Sequence, residues 1–417
     1  MTEPESEQDA RPPILLVTSG YHLYREYLLE LVAGAARVHL LCDAEPTWEK
    51  RYITGWTLVD TLDPAAMTAA ARELTGAGAP QGVLCWDEIR MEQTARVQQA
   101  LGLPGSPPEA VARCRDKHRT RTALAEARVP QAASVLVSSP AEAHQAAEHI
   151  GYPVICKPRA LGASFGVSAV ETPDGLAAGF AEARGATEDG VPYFEAGVLI
   201  EEYLRGEEIS VDSAVVGGEV VPMFVARKIS GFDPYFEEVG HSVDAADPLL
   251  TDPALLEVLA GAHRAVGYTT GVTHTELRLT ADGPKVIEIN SRLGGDLIPR
   301  VGLLATGVDP GAVAVAVATG RPLPERPATG RTAAVHFLYP PADCVVREVT
   351  VDEDGLPPQT EVVGVLASPG QELRLPPAGH VTSRYAYVIT AAADAGTAAA
   401  AAVRAAEAVR VHGREGS

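Results

Sequence analysis

Cysteine is scarce in this chain and spaced for no shared task. Cys42, Cys85, Cys114, Cys156 and Cys344 stand singly among 417 residues, with no CxxC pair. That offers no thiolate zinc site and suits reduced thiols in a cytoplasm. Positive charge is also in deficit: 34 Lys and Arg face 55 Asp and Glu, a formal net charge of −21. Nucleic acid is therefore not expected as a partner, because phosphate backbones call for basic patches. No apolar run approaches the roughly 20 residues that span a bilayer, so no membrane partner is expected either. Neither GxGxxG nor GxxxxGK[ST] occurs, and the turn Thr18-Ser19-Gly20 is no dinucleotide fingerprint. The opening MTEPESEQDARPP is acidic and polar, the opposite of a signal peptide, and reads as a disordered leader.

What is present is ample apolar material. Hydrophobic residues make up 46% of the chain, enough for two to four compact units at this length. PILLVTSG reads as a buried strand, YHLYREYLLELVAG as a helix, ARVHLLCD and GVLCWDE as further strands. This βαβ rhythm predicts a parallel sheet covered by helices over the first hundred or so residues. GLPGSPPEA marks a boundary, and PEAVARCRDKHRTRTALAEARVP reads as helical up to Pro130. VLIEEYLRGEEISVDSAVVGGEVV predicts two strands linked by an acidic turn. ARKISGFDPYFEEVGHSVDA, of mixed character, is expected to be a mobile loop, and a helix is expected over Pro253 to Val266. Beyond the Pro-rich stretch GRPLPERPATG, the last unit is rich in strands and is expected to end in an Ala-rich helix.

The stretch KVIEINSRLGGD carries the most chemistry. Glu288, Asn290 and Arg292 share one parity, so on a strand they point to one face. THTELRLT likewise puts His274, Glu276 and Arg278 on one face, and ADG joins the two as a hairpin. Pairing brings Glu276 near Glu288 and Asn290. Two carboxylates and an amide oxygen repel unless a hard cation lies between them; otherwise the pair is a solvated hairpin. The terminal Gly294-Gly295 lets backbone approach a ligand.

CKPRALGASFGV sets Lys157 on a strand before Gly162, Ser164 and Gly166. Such a turn cradles phosphate with its N–H groups, or is simply a hairpin. LIEEYL is either a strand end reaching solvent or a hinge whose backbone reads an adenine edge, with Glu208 placed to accept from ribose hydroxyls.

Taken in order, Lys117 in RDKHRTRTAL, Lys157, the glycine turn, the LIEEYLRGEE segment and the acidic hairpin are more specific than any one of them. The chain resembles the ATP-grasp family of carboxylate–amine ligases over about residues 14 to 410. Within that family it is most similar to the L-amino-acid ligase group, through VTHTE, EINSRLGGD, PYFEEVGH and VHFLYPP.

The resemblance implies an α/β (α+β) fold of ATP-grasp architecture. A leader (1–12) precedes a Rossmann-like N-terminal domain (13–105). A lid with the first nucleotide-binding part (106–205), a central catalytic sheet (206–328) and a strand-rich C-terminal domain (329–417) follow. The implied cofactors are ATP and Mg²⁺, with Mn²⁺ as a substitute.

By the same resemblance, Lys117 and Lys157 hold the phosphates under a loop containing Gly162, Ser164 and Gly166. Glu201, Glu202, Tyr203 and Leu204 form the adenine hinge, and Glu208 binds ribose. Glu276 and Glu288 bind the metal, with Asn290 as a further contact. Arg292 steadies the transferring phosphate or the carboxylate under attack. Lys228 and His241 are candidate catalytic groups, and His274, Gly294 and Gly295 border the substrates. Leu293 departs from the proline or alanine of many relatives, which bears on the substrate end of the pocket. The implied reaction joins a small carboxylate to an amine through an acylphosphate, and the chain is compatible with a homodimer. A biotin-carboxylase-like enzyme and a non-catalytic nucleotide-binding regulator are the alternatives.

Overall fold

Ile14, Leu15, Leu16 and Val17 are buried on both faces of the strand Pro13–Val17, as a parallel sheet covered by helices demands. A computed structural model of the chain describes residues 10–415 except 163–164, 188–196, 234, 329 and 377. Ser164 and the first nine leader residues lie outside the described residues.

The N-terminal parallel sheet runs Gly55–Leu58, Arg37–Cys42, Pro13–Val17, Gly82–Leu84. The helix His22–Ala35 buries Leu28, Leu29 and Val32, each contributing about 1.5–3 kcal/mol by burial. It packs on the helix Pro310–Ala318, far along the chain, so the first hundred residues and the centre of the molecule share one core.

The segment expected as one helical run up to Pro130 is two helices, Pro108–Arg115 and Lys117–Glu126. Asp116 separates them. Its carboxylate accepts from the His118 and Arg119 amides, starting a new helix where the first one stops. The same carboxylate holds Arg159 at 2.8 and 2.5 Å, which ties this corner to the lid.

The region expected to be the lid forms a four-stranded antiparallel sheet, ordered Ser134–Val137, Val198–Glu202, Val154–Pro158, Ser168–Val170, with a small core of its own. The two strands expected around the acidic turn do form, but in different sheets. Val198–Glu202 belongs to the lid and Glu207–Val216 to the central sheet, so the turn between them is the crossing from one layer to the other.

The central sheet has eight antiparallel strands, in the order Gly283–Asn290, Gly271–Thr280, Glu207–Val216, Glu219–Gly231, Glu237–Asp244, Thr332–Leu338, Ala386–Ala392, Thr360–Val365. The expected mobile loop ARKISGFDPYFEEVGHSVDA is for the most part ordered strand. Ala226 to Gly231 pair with Glu237 to Val243, around a short connection. Its polar residues misled because several of them, Lys228 and His241 among them, are buried against one another instead of facing water. Three of the strands after residue 330 thus extend this same sheet, while Glu372–Leu373, Cys344–Val351 and Val409–Glu415 form a separate three-stranded sheet, the last of them following the helix Ala395–Glu407. The helix Pro253–Val266 forms as expected, capped by the Asp252 carboxylate on the Leu255 amide at 2.8 Å. All five cysteines are free thiols.

Candidate active site

Antiparallel pairing sets Glu276 across from Glu288 and His274 across from Asn290, with Ala281 and Asp282 alone between the strands. The register slips after Glu276: Leu277 faces Val286, and Ile287 has no partner. This bulge lets Val286 and Ile289, three residues apart, both sink into the core while Glu288 and Asn290 face a cavity. Strict alternation would have turned one of the two outward. Arg292 is not on the strand as its parity suggested, because the strand ends at Asn290. Its Nε lies 2.6 Å from Glu88 Oε2 in the N-terminal region, and Nη1 donates to the Leu293 carbonyl at 3.0 Å.

Each hairpin carboxylate meets a lysine. Lys117 Nζ lies 3.0 Å from Glu288 Oε1 and donates to the Leu161 carbonyl at 2.7 Å. Lys228 Nζ is 3.1 Å from Glu276 Oε2, 2.7 Å from Glu208 Oε1 and 2.6 Å from Glu238 Oε1. Burial pulls the Lys228 ammonium toward neutrality, but the three carboxylates outweigh it and hold its pKa well above the usual lysine value. Burial likewise opposes ionisation of Glu276, and Lys228 with His274 overcomes it, keeping this carboxyl well below its usual range. His274 stands on Asp212, Nδ1 to Oδ1 at 2.6 Å, and turns Nε2 toward Glu276 at 3.5 Å. Burial lowers its pKa, Asp212 and Glu276 raise it more, and the result is about 9. Gly294 donates its amide to Asp212 at 2.9 Å, and a Cβ there would come within 2.9 Å of His274 Nδ1, so only glycine lets the loop approach this pair.

On the lid side, Lys157 Nζ lies 2.5 Å from Glu201 Oε2, and Arg121 holds the same carboxylate at 2.7 and 2.9 Å. Burial first, then neighbouring Arg121 and Lys117, lower Lys157 to about 8 despite Glu201. Glu201, opposed by burial but held by two cations, falls to about 2. Arg121 also donates to the Val286 and Ile287 carbonyls, both at 2.9 Å, which joins the lid strand's end to the bulge of the hairpin.

Two cavities meet here. One, of about 160 Å³, lies between lid and central sheet and is lined by Lys117, Lys157, Gly162, Glu201, Glu202, Tyr203, Leu204, Glu208, Lys228, Glu276, Glu288, Asn290 and Arg292. The second, of about 270 Å³, opens toward the N-terminal region between Arg25, Trp86, Glu88 and Arg115. They share a wall made of Lys117, Leu161, Gly162, Glu288, Asn290 and Arg292. Of the other residues singled out in the sequence, Gly166 packs at the base of the loop, where a Cβ would come within 2.5 Å of Ala186 Cβ. His274, Gly294 and Gly295 are not among the residues that line either cavity. His241 is fully buried, with Nε2 3.2 Å from Glu238 and 3.7 Å from Asp296. Glu238, His241 and Asp296 together have the donor atoms of a cation site, but Lys228 and Arg384 already neutralise the two carboxylates.

Arg25, Glu88, Arg121, Glu238, Asp296 and Arg384 went unseen in the sequence. Glu238 stood inside PYFEEVGH, close to His241, and spacing could have found it. Asp296 closes KVIEINSRLGGD and meets His241, so spacing marks it too. Arg25, Glu88, Arg121 and Arg384 reach the site through contacts 80 or more positions away along the chain, and no local pattern marks them.

Residues 150–300 match the family model for the ATP-grasp domain. These residues carry an ATP-grasp domain. The chain is 27% identical over 233 residues to the alanine–anticapsin ligase of Bacillus subtilis, 52% of this chain and 49% of that one. Carnosine synthase 1 of Gallus gallus is 30% identical over 258 residues, 58% of this chain and 28% of that one. The chain thus spans about half or less of the length of these two curated relatives. The crystal structure of an L-amino acid ligase from Bacillus licheniformis shares the fold, with a TM-score of 0.79, 20% identity and coverage of 97% of this chain and 100% of that one. The resemblance to the L-amino-acid ligase group read from the motifs therefore extends to the whole architecture.

Proposed function

We propose that this protein is an ATP-dependent ligase that joins a carboxylate, an amino acid or related acid, to an amine, forming ADP and phosphate. One observation carries the reading: the cavity between lid and central sheet and a second cavity adjoin at Glu288, Asn290 and Arg292. A γ-phosphate delivered along the first would meet an acid and an amine delivered along the second.

The residues of the first cavity suit ATP. Tyr203, Leu204 and Phe236 give an apolar place for adenine, Glu208 an acceptor for ribose hydroxyls, Lys117 and Lys157 charge for the phosphates. The all-oxygen donors Glu276, Glu288 and Asn290 suit a hard divalent cation, Mg²⁺ with Mn²⁺ as substitute. Such an ion, when bound, lessens the repulsion between a carboxylate and the polyanionic nucleotide and polarises phosphoryl oxygens.

In this reading a substrate carboxylate oxygen attacks the γ-phosphorus, the bond to the β-phosphate oxygen breaks, and ADP leaves. The amine lone pair then attacks the acyl carbon, the bond to the phosphate oxygen breaks, and phosphate departs, taking up the proton that the nitrogen loses. Lys228 keeps Glu276 ionised, Lys117 pairs with Glu288, Arg292 offsets negative charge on the transferring group, and the lid keeps water from the acylphosphate.

Incubation with Mg²⁺, ATP and a matrix of L-amino acid pairs, followed by separation of the nucleotides, tests the reading. ADP and phosphate dependent on both acid and amine are expected. AMP and pyrophosphate would overturn it, and ADP released only with bicarbonate and biotin would point to a carboxylase instead.

A further inference from the structure

In the second cavity almost every charge has a partner. Asp87 is held by Arg90 at 2.9 Å, Glu88 by Arg292 at 2.6 Å, and Glu288 by Lys117 at 3.0 Å. Arg25 differs. Its guanidinium lines the cavity and donates from Nη1 to the Gly294 carbonyl at 3.2 Å, and among the described residues no carboxylate lies within ion-pair distance of it. The side chain is nonetheless held in place. Gly20, with φ of +76°, lets it pass: a Cβ there would meet Arg25 Cγ at 3.1 Å and Trp86 Nε1 at 3.3 Å. Trp86 is itself fixed by a hydrogen bond from Nε1 to the Ser19 carbonyl at 2.8 Å. The turn Thr18-Ser19-Gly20, which is no nucleotide motif, thus shapes the wall that seats an arginine.

A half-buried guanidinium with spare donors is suited to an anion, above all a carboxylate taken by two parallel N–H groups. The nucleotide is a poor source of that anion. Arg25 does not line the nucleotide cavity, where Lys117, Lys157 and Arg292 already face the phosphates. The carboxylate that reacts is also excluded, since it must sit at the shared wall near Glu288 and Arg292. What is left is a second anionic group, carried by the amine substrate.

We propose that Arg25 is a specificity-determining residue that binds a free carboxylate on the amine substrate, so that the amine accepted is itself an acid. This rests on the ligase reading above. The test compares L-alanine, L-leucine and L-phenylalanine as acceptors with the primary amide of each, for wild type, Arg25→Gln and Arg25→Lys. The readout is the ratio of kcat/KM for acid over amide, from ADP release. The wild-type ratio is expected to be at least about tenfold, that of Arg25→Gln near unity, and Arg25→Lys to recover part of it, as the loss of one charge-assisted pair would give. A ratio unchanged in Arg25→Gln, or no wild-type preference, overturns the assignment. Absence of ADP with every wild-type pair would sink the ligase reading instead. Calorimetry of the same compounds on protein loaded with a non-hydrolysable ATP analogue and Mg²⁺ then decides for Arg25. Acids bound tighter than amides by wild type but not by Arg25→Gln uphold it, and equal or absent binding overturns it.

Discussion

Lys228 reaches over the strand Glu207–Val216 to set its Nζ 3.1 Å from Glu276 Oε2, and so serves as counter-ion to a carboxylate two strands away. Glu208 and Glu238 share the same ammonium. Lys228→Met would leave three carboxylates facing one another out of water, and breaking a buried pair of this kind costs about 3–5 kcal/mol. Urea unfolding should show a loss of that order, and Mg²⁺ should restore more stability to the variant than it adds to wild type. An unchanged midpoint would mean that the cluster is not held by this lysine.

Glu288→Gln keeps volume but removes one of the two facing charges. Loss of several kcal/mol of transition-state stabilisation, about a thousandfold in kcat, is expected, with the melting temperature within a few degrees of wild type because Lys117 keeps its bond to the Leu161 carbonyl. Near-normal phosphate release would refute the role given to this carboxylate.

Lys157 supplies a pH dependence. With its pKa at about 8, it is charged below that pH and neutral above, so its help to nucleotide phosphates is present at pH 7 and fades as pH rises. If only the charged form binds, the Kd of a non-hydrolysable ATP analogue should rise about tenfold for one unit above the pKa. Lys157→Ala should bind more weakly at pH 7 and show a flatter profile. Calorimetry between pH 7 and 9 checks both, and parallel profiles would remove Lys157 from the phosphate site.

Arg384 is almost fully buried and clamps Asp296 with two bonds of 2.8 Å while stacking on Phe337 at 3.8 Å. Arg384→Met leaves Asp296 without its main counter-ion, and a destabilisation of about 3 kcal/mol is expected. Asp296 and Leu297 both hold left-handed backbone, so the loop from Ser291 should loosen as well. Hydrogen exchange at the amides of 291–297 would register it. Protection equal to wild type would show that the clamp is dispensable.

The sequence by itself determined whatever depends on neighbours along the chain. Alternation and the turn ADG were enough to bring Glu276 near Glu288, but the exact pairing needed the bulge after Glu276, since the two-residue turn by itself would set Glu276 against Ile287. The helix Pro253–Val266 was legible because its cap, Asp252, acts within three residues, whereas the break at Asp116 is hidden inside what reads as one helical run. Even so, the local rule fails at Arg292, where the strand stops two residues early, and over Ala226 to Gly240, where a stretch of mixed character that reads as a mobile loop is mostly paired strand. Only the tertiary structure decided the rest. Lys117 finds Glu288 across 171 positions, Arg292 finds Glu88 across 204, and Arg384 finds Asp296 across 88. A charge on a helix or strand looks the same in sequence whether it faces water or a partner. What tells the two apart is burial, which makes an unpaired charge too costly to keep and so obliges distant segments to bring the opposite sign. Arg25, seated in a cavity with no carboxylate among the described residues within ion-pair distance, became visible only against that background.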